Sequence, residues 1–176
     1  MLAVISPAKT LDFESSPNTG AFSVPDFLDQ SELLIERLRT LSEQELSSLM
    51  SISPKLASLN RQRYQDWHVP FSSENAKQAI LAFKGDVYTG FTLDQYTSKD
   101  FDYAQQHLRI LSGLYGLLRP LDFIQPYRLE MGTKLSTEQG RDLYAFWKSV
   151  LGNAMREAIK SSGENVLINL ASQEYF

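Results

Sequence analysis

The apolar positions of the chain indicate a strand near each end of the sequence. Leu2–Ile5 is a run of four apolar residues that stops at Ser6-Pro7, which is typical of a buried strand followed by a turn. Residues 166–171 read Val-Leu-Ile-Asn-Leu-Ala, and so nearly continuous an apolar run predicts a core strand covered on both faces.

Helical patterns fill most of the chain between these strands. Ser42 with Glu45 three positions later predicts a capping box, and Ser53-Pro54 places a capping hydroxyl before a proline at the first helical position. Further helices are expected from Ser72 or Ser73 through Ala82, from Thr97 or Ser98 through Leu111, and from about Arg141 to Lys160. A long helix leading directly into a core strand favours a mixed α/β fold, with a central sheet and several surrounding helices.

A length of 176 residues without a linker or repeat predicts one compact domain, residues 1–176. The chain stops at Tyr175-Phe176, directly after the predicted core strand. Natural domains seldom end in this way, so we expect the sequence to be truncated at its C-terminus.

Composition excludes several classes of protein. The chain has no cysteine, which removes disulfides, thiolate metal sites and thiol redox sensing. No apolar run approaches the ~20 residues of a membrane helix, and the first residues do not form a signal peptide, so we expect a cytoplasmic protein without a membrane partner. His68 and His107 stand alone without neighbouring ligands, and we predict neither a metal nor a cofactor.

The overall charge of the chain does not favour binding to nucleic acid. The net charge is −4, although residues 101–176 hold eight basic and eight acidic side chains and leave room for a local basic face.

Lys9 is the first candidate site residue, because it follows the first strand in the segment Ser6–Thr10. Loops after strands bind ligands in open α/β sheets. This lysine fits a phosphate anchor, a desolvated nucleophilic amine or an ordinary solvated lysine. A loop that binds a nucleoside triphosphate fits poorly, because the glycines that such a loop needs are missing.

Arg128 and Glu130 lie two positions apart in Gln125–Gly132, so both project from one face if the segment is extended. Such a pair beside Tyr127 fits either a phosphate or nucleobase site or a structural ion pair.

Gly113 and Gly116 follow the predicted helix and resemble the turn of a helix-hairpin-helix, in which exposed amides grip nucleic-acid backbone. A glycine cap leading into a packed turn is the alternative. The residues predicted to contact DNA are Arg109, Gly113, Leu114, Tyr115, Gly116 and Arg119.

Six segments in this order resemble the signature blocks of the YaaA family of bacterial peroxide-stress proteins: Ser6–Thr10, Phe83–Gly90, Ser112–Asp122, Gln125–Gly132, Asp142–Trp147 and Ile168–Phe176. The resemblance covers essentially the whole chain, although the family continues beyond Phe176 into a segment rich in lysine and arginine. It implies a single-domain α/β fold of the family's own kind, with a helix-hairpin-helix element and a positively charged cleft. The candidate cleft residues are Lys9, Thr10, Lys84, Arg128, Glu130, Asn169, Ser172 and Glu174.

The resemblance further implies a protein that binds duplex or branched DNA, independently of base sequence, and protects against hydrogen peroxide by limiting free iron. No catalytic reaction follows from it. Two other hypotheses stay open: an enzyme acting on a nucleobase or nucleotide in a pocket lined by Lys9, Arg128 and Glu130, and a structural or partner-binding domain that takes no small ligand.

Overall fold

The computed structural model describes residues 1–176. Its main sheet has four strands: β1 (Leu2–Ile5), β5 (Leu108–Ser112), β6 (Gly116–Leu118) and β8 (Leu167–Asn169). Their order across the sheet is β6-β5-β1-β8. Strand β1 runs parallel to both of its neighbours, whereas β6 folds back antiparallel on β5. The sheet is therefore mixed, and the predicted α/β class is confirmed.

The other strands are very short and form two small antiparallel sheets. These strands are β2 (Thr10–Leu11), which pairs with β4 (Phe83–Lys84), and β3 (Lys77–Gln78), which pairs with β7 (Phe123–Ile124). Seven helices surround the sheets: α1 (Leu28–Arg39), α2 (Glu43–Met50), α3 (Pro54–Asp66), α4 (Ala79–Ala82), α5 (Asp86–Thr89), α6 (Ser98–His107) and α7 (Leu143–Ser161).

The two faces of the main sheet pack into different apolar clusters. Leu2 and Val4 of β1 point toward α7, where they pack in a small cluster with Ala158. The alternate residue Ile5 packs with Ile110 of β5 in the large core that joins most of the helices. Alternation along β1 thus covers both faces of the central strand, as a buried parallel strand requires.

Several local predictions are confirmed. β1 has the predicted bounds, and Ser42 and Glu45 form the capping box of α2, with the Ser42 backbone N–H donating to a Glu45 carboxylate oxygen at 2.8 Å. Ser53 accepts from the Leu56 backbone N–H at the start of α3. These signals act within a few residues, so local sequence suffices to specify them.

Three predicted elements differ from the structure. The helix that starts at Ser98 ends at His107, and the next five residues are β5 rather than its continuation. Between Ser72 and Ala82 the chain forms β3 and only one helical turn, α4. β8 is an edge strand because it pairs only with β1, and Ile168 is 38% exposed on its uncovered face. The helix α1 was not predicted, although Leu34, Ile35 and Leu38 form its buried stripe.

Candidate functional site

A pocket of about 390 Å³ lies at the carboxyl ends of the parallel strands β1 and β8. Two of its walls are the loops that leave these strands, residues 6–9 and 170–175, and the third wall is the segment 127–130. Because neighbouring parallel strands end at the same edge of a sheet, the loops that follow them meet there. The position is the one at which α/β sheets commonly bind ligands.

Glu130 joins the two cations of the pocket. Its Oε1 accepts from Arg128 Nη2 at 3.0 Å, and its Oε2 lies 2.9 Å from Lys9 Nζ. The side chain of Lys9 is 62% exposed, whereas that of Arg128 is 19% exposed. One carboxylate therefore holds a largely buried guanidinium in place and keeps an exposed ammonium at the rim of the pocket.

Arg128 has hydrogen-bonding capacity in reserve. Its Nε is buried without a hydrogen-bond partner, and its backbone carbonyl accepts from the Tyr64 hydroxyl. The positive charge of Arg128, together with burial as the larger cause, lowers the pKa of Arg63 on α3. Positive charge therefore extends from the pocket toward α3, where Arg63 forms no salt bridge but donates to the Asn60 side-chain oxygen.

Tyrosine side chains that are largely buried support the walls of the pocket. Tyr88 donates from its hydroxyl to the Ser6 carbonyl at 2.9 Å, and Tyr127 shares a 2.7 Å hydrogen bond with the Ser112 hydroxyl. Burial raises the pKa of Tyr88, Tyr127 and Tyr175 well above the ordinary value. These side chains consequently stay neutral and fix the pocket walls by hydrogen bonding and packing.

The loops after β1 and β8 are connected by Ser6 and Ser172. The Ser172 backbone N–H donates to Ser6 Oγ at 2.9 Å, and the two hydroxyls lie 3.3 Å apart. Glu174 accepts at 3.0 Å from the Gly132 backbone N–H, which joins the same loop to the end of the third wall. The three walls are thus tied to one another by hydrogen bonds.

The structure brings together most of the predicted cleft residues. Five of them line the pocket: Lys9, Arg128, Glu130, Ser172 and Glu174. Thr10 and Lys84 pair across β2 and β4, beside an adjoining depression that also includes Lys9. Asn169 does not line the pocket; its side-chain oxygen accepts from the Ala171 backbone N–H and shapes the turn after β8.

The two-glycine segment is a β-hairpin and not a helix-hairpin-helix, so this part of the predicted fold is corrected. β5 precedes Gly113, and β6 begins at Gly116, whose φ of +72° suits glycine. The backbone N–H groups of Leu114 and Tyr115, expected to grip phosphate, donate to Ser112 Oγ at 3.2 and 3.0 Å. All four turn residues are buried, which leaves no exposed amide at the turn.

The glycines of this turn serve close packing. A β-carbon on Gly113 would lie 2.3 Å from the Leu129 carbonyl oxygen, in the pocket wall. Trp147 Nε1 of α7 donates to the Gly113 carbonyl at 2.9 Å, and its ring lies against Gly116. The hairpin therefore supports the wall that carries Arg128 and Glu130.

Arg109 and Arg119 are engaged in intramolecular hydrogen bonds. Arg109 donates from Nη1 to the carbonyls of Gln105 and Leu108. Arg119 bonds through Nε and Nη2 to the buried Asp122, to Asp26 and to the Val24 carbonyl. Burial raises the pKa of Asp122, with the Ser23 hydroxyl and Arg119 acting in the opposite direction. Both arginines thus join chain segments within the fold.

Sequence reasoning missed Ser6, Tyr175 and Arg63 as members or neighbours of the site. Ser6 and Tyr175 lie in segments that were singled out, yet neither carries a charge that would identify it. Arg63 occurs on the helical pattern after Ser53, and only the packing of α3 brings it near Arg128.

No helix of the structure is both long and apolar enough to cross a membrane. The structure also shows no group of three or more His, Asp or Glu side chains placed to hold a metal ion.

The fold and the site define a mixed α/β protein with a small pocket, lined by polar and apolar residues alike, at the carboxyl edge of its parallel strands. The family model described as "Peroxide stress protein YaaA" matches residues 1–176. The chain therefore belongs to the YaaA family of peroxide stress proteins, as the resemblance of its six segments predicted.

Proposed function

We propose that this member of the YaaA family is a cytoplasmic protein that binds duplex or branched DNA and thereby limits iron-dependent damage during peroxide stress. The observation that carries the proposal is the pair of exposed lysines, Lys9 and Lys84, around one depression beside the pocket. Their side chains are 62% and 67% exposed.

The carboxylates next to these lysines leave their ammonium groups free for further contacts. Lys9 lies 2.9 Å from Glu130, and Lys84 lies 3.9 Å from Asp12 at the limit of an ion pair. An exposed ammonium has three donors and a flexible stem, so each can also reach a phosphate oxygen. Contacts of this kind position a protein on DNA without reading its sequence.

This surface also replaces the helix-hairpin-helix contact expected from sequence. With the amides of Leu114 and Tyr115 bonded to Ser112 and Arg119 bonded to Asp122, the pocket rim is the better supported DNA contact. The net charge of −4 requires attraction to be local, which fits a small cationic rim better than a broad basic face.

Protection from iron follows from the same contacts. Cations gather around DNA phosphates, and a protein that neutralises phosphates releases them. Ferrous ions held at the backbone would be displaced in the same way, which moves the site of radical formation away from DNA.

Binding measured over a series of salt concentrations tests this proposal. The double variant Lys9→Ala/Lys84→Ala should weaken binding to every duplex sequence and reduce the salt slope by about two phosphate contacts. The matched control is Lys99→Ala/Lys148→Ala, which removes two exposed lysines from α6 and α7. Equal salt slopes for the two double variants would contradict the proposal.

An enzyme acting on a nucleobase or nucleotide is a second candidate, favoured by the enclosure of Arg128 and Glu130 in a pocket of about 390 Å³. Mass spectrometry of oligonucleotides and nucleotides incubated with the protein tests it. A new product that the Glu130→Gln variant does not form would support the enzyme, and unchanged substrates would contradict it.

A further inference from the structure

The pocket is large enough to hold a small ligand but too small to hold a DNA duplex. Its volume of about 390 Å³ lies near the lower end of the range for small-molecule sites, roughly 300–1,000 Å³. DNA can therefore rest on the rim, but only a single nucleotide unit can enter. A nucleotide that is unpaired is the one that is free to do so.

The charges inside the pocket favour a neutral group over a phosphate. Lys9 and Arg128 supply two positive charges, and Glu130 and Glu174 supply two negative ones, so the lining is neutral in sum. A negatively charged DNA phosphate entering the pocket would approach both carboxylates. A neutral heterocycle avoids this repulsion.

The pocket lining also matches the two surfaces of a nucleobase. Half of the 14 lining residues are hydrophobic, and Tyr127 and Tyr175 are among them, which suits an apolar π face. The polar half combines the donors of Arg128 with the acceptors of Glu130 and the hydroxyl of Ser172. The edge of a base carries donors and acceptors side by side and needs both kinds of partner.

We infer that the pocket holds one unpaired base of a bound DNA strand, while Lys9 and Lys84 on the rim contact the flanking phosphates. This inference rests on the proposed DNA binding and adds the structural class of DNA that is preferred. Duplexes with a bulged nucleotide would bind better than perfect duplexes, because the base is already unpaired and extruding it breaks no base pair.

The unmodified protein provides the first test, by fluorescence anisotropy with three matched DNAs. These are a perfect duplex, the same duplex with one bulged nucleotide, and the same bulge with the base removed to leave an abasic site. The last two share the same backbone, so their difference reports the base alone. We expect the bulged base to be bound about tenfold more tightly than the abasic bulge, the effect of one stacked base.

A variant that fills the pocket provides the second test. Ser172 is exposed at the pocket, and Ser172→Trp should abolish the preference for the bulged base, measured as the ratio of the affinities for the base and abasic bulges in the same variant. Ser48→Trp, in a separate groove between α2 and residues 134–136, is the control and should retain this ratio. Circular dichroism of both variants verifies folding.

The outcomes separate the two proposals. Binding to all three DNAs with equal affinity for the base and abasic bulges would overturn the inference and leave DNA binding intact. A preference that persists in a folded Ser172→Trp variant would also overturn it, because the base would then bind elsewhere. Absence of binding to every DNA would overturn the proposed function and the inference together.

Discussion

Gly113 touches the pocket wall at Leu129 so closely that no side chain fits between them: an added β-carbon would lie 2.3 Å from the Leu129 carbonyl oxygen. The contact is with backbone, which cannot rotate away as a side chain can. The buried hairpin between β5 and β6 and the wall with Arg128 and Glu130 therefore form one packed unit.

Gly113→Ala should accordingly destabilise the protein by about 3 kcal/mol, the upper end of the usual cost of overpacking. Urea unfolding followed by circular dichroism measures the change. Gly20→Ala is the matched control, since nothing lies within 4 Å of its β-carbon, and it should change stability by no more than about 1 kcal/mol. Equal stabilities of the two variants would contradict the proposed role of Gly113.

Gly152→Ala should have the opposite sign. Gly152 lies in the interior of α7 on an exposed position, and an added β-carbon would meet only Arg156 Nη1 at 3.9 Å. Alanine removes the entropic cost of a helical glycine, so we expect stabilisation by about 0.5–1 kcal/mol. Thermal unfolding detects this as a higher Tm, and a lower Tm would show that the position has an unseen steric constraint.

Tyr115→Phe should destabilise the fold, although it removes only one oxygen atom. The Tyr115 hydroxyl accepts from Trp67 Nε1 and from the Gln125 backbone N–H, both at 3.0 Å, within the buried core. Phenylalanine leaves two buried donors unsatisfied, and we expect a loss of about 1–3 kcal/mol. The control Tyr103→Phe alters a ring that is 61% exposed and should be nearly neutral in the same unfolding measurement.

The Asp12 carboxylate makes the free energy of unfolding depend on pH in the acid range. Hydrogen bonds from the backbone and side chain of Ser15, aided by the charge of Lys77, lower the Asp12 pKa from 3.8 to about 2. The folded state therefore favours the carboxylate, and this contribution is complete above pH 3.8 and is lost as the pH falls toward 2. Asp12→Asn should lose less stability than the parent over that interval.

Urea midpoints measured at a series of pH values compare these proteins. Asp29→Asn is the control, because Asp29 is exposed near the start of α1 and forms no side-chain hydrogen bond or salt bridge. The urea midpoint of Asp29→Asn should fall with pH in the same way as that of the parent protein. An Asp12→Asn curve that also coincides with the parent would show that this carboxylate does not contribute.

The sequence predicted well those elements whose signals are local. The capping box of α2 involves Ser42 and Glu45 alone, and a run of four apolar residues suffices for β1. The predicted continuation of the helix through Leu111 was wrong, because these residues form β5. Leu108 and Leu111 continue the helical spacing of α6, but Leu108 and Ile110 also fit the alternation of a strand. Pairing with β1, about a hundred residues away in sequence, decides between the two.

The site shows the same division. Lys9 at a strand end and the Arg128–Glu130 pair were recognised from residue type and spacing, and family resemblance implied that they share a cleft. The sequence did not predict that the turn from Gly113 to Gly116 is buried. Two glycines at this spacing fit an exposed anion-binding turn and a close-packed turn equally well. Only Leu129 and Trp147, from other parts of the chain, distinguish these cases.

The position of β1 at the centre of the main sheet has a consequence for how the protein is made. Its partners on either side, in pairs such as Ala3–Leu108 and Ala3–Ile168, are more than a hundred residues distant. Leu2–Ile5 therefore stays unpaired during synthesis until β5, more than a hundred residues later, has been made, and its second edge stays open until β8 follows. Contacts so far apart in sequence slow folding, because a long loop must close before they are formed. Until then the nascent chain exposes Leu2–Ile5 as an unpaired apolar segment, and exposed apolar strands of this kind are prone to aggregation.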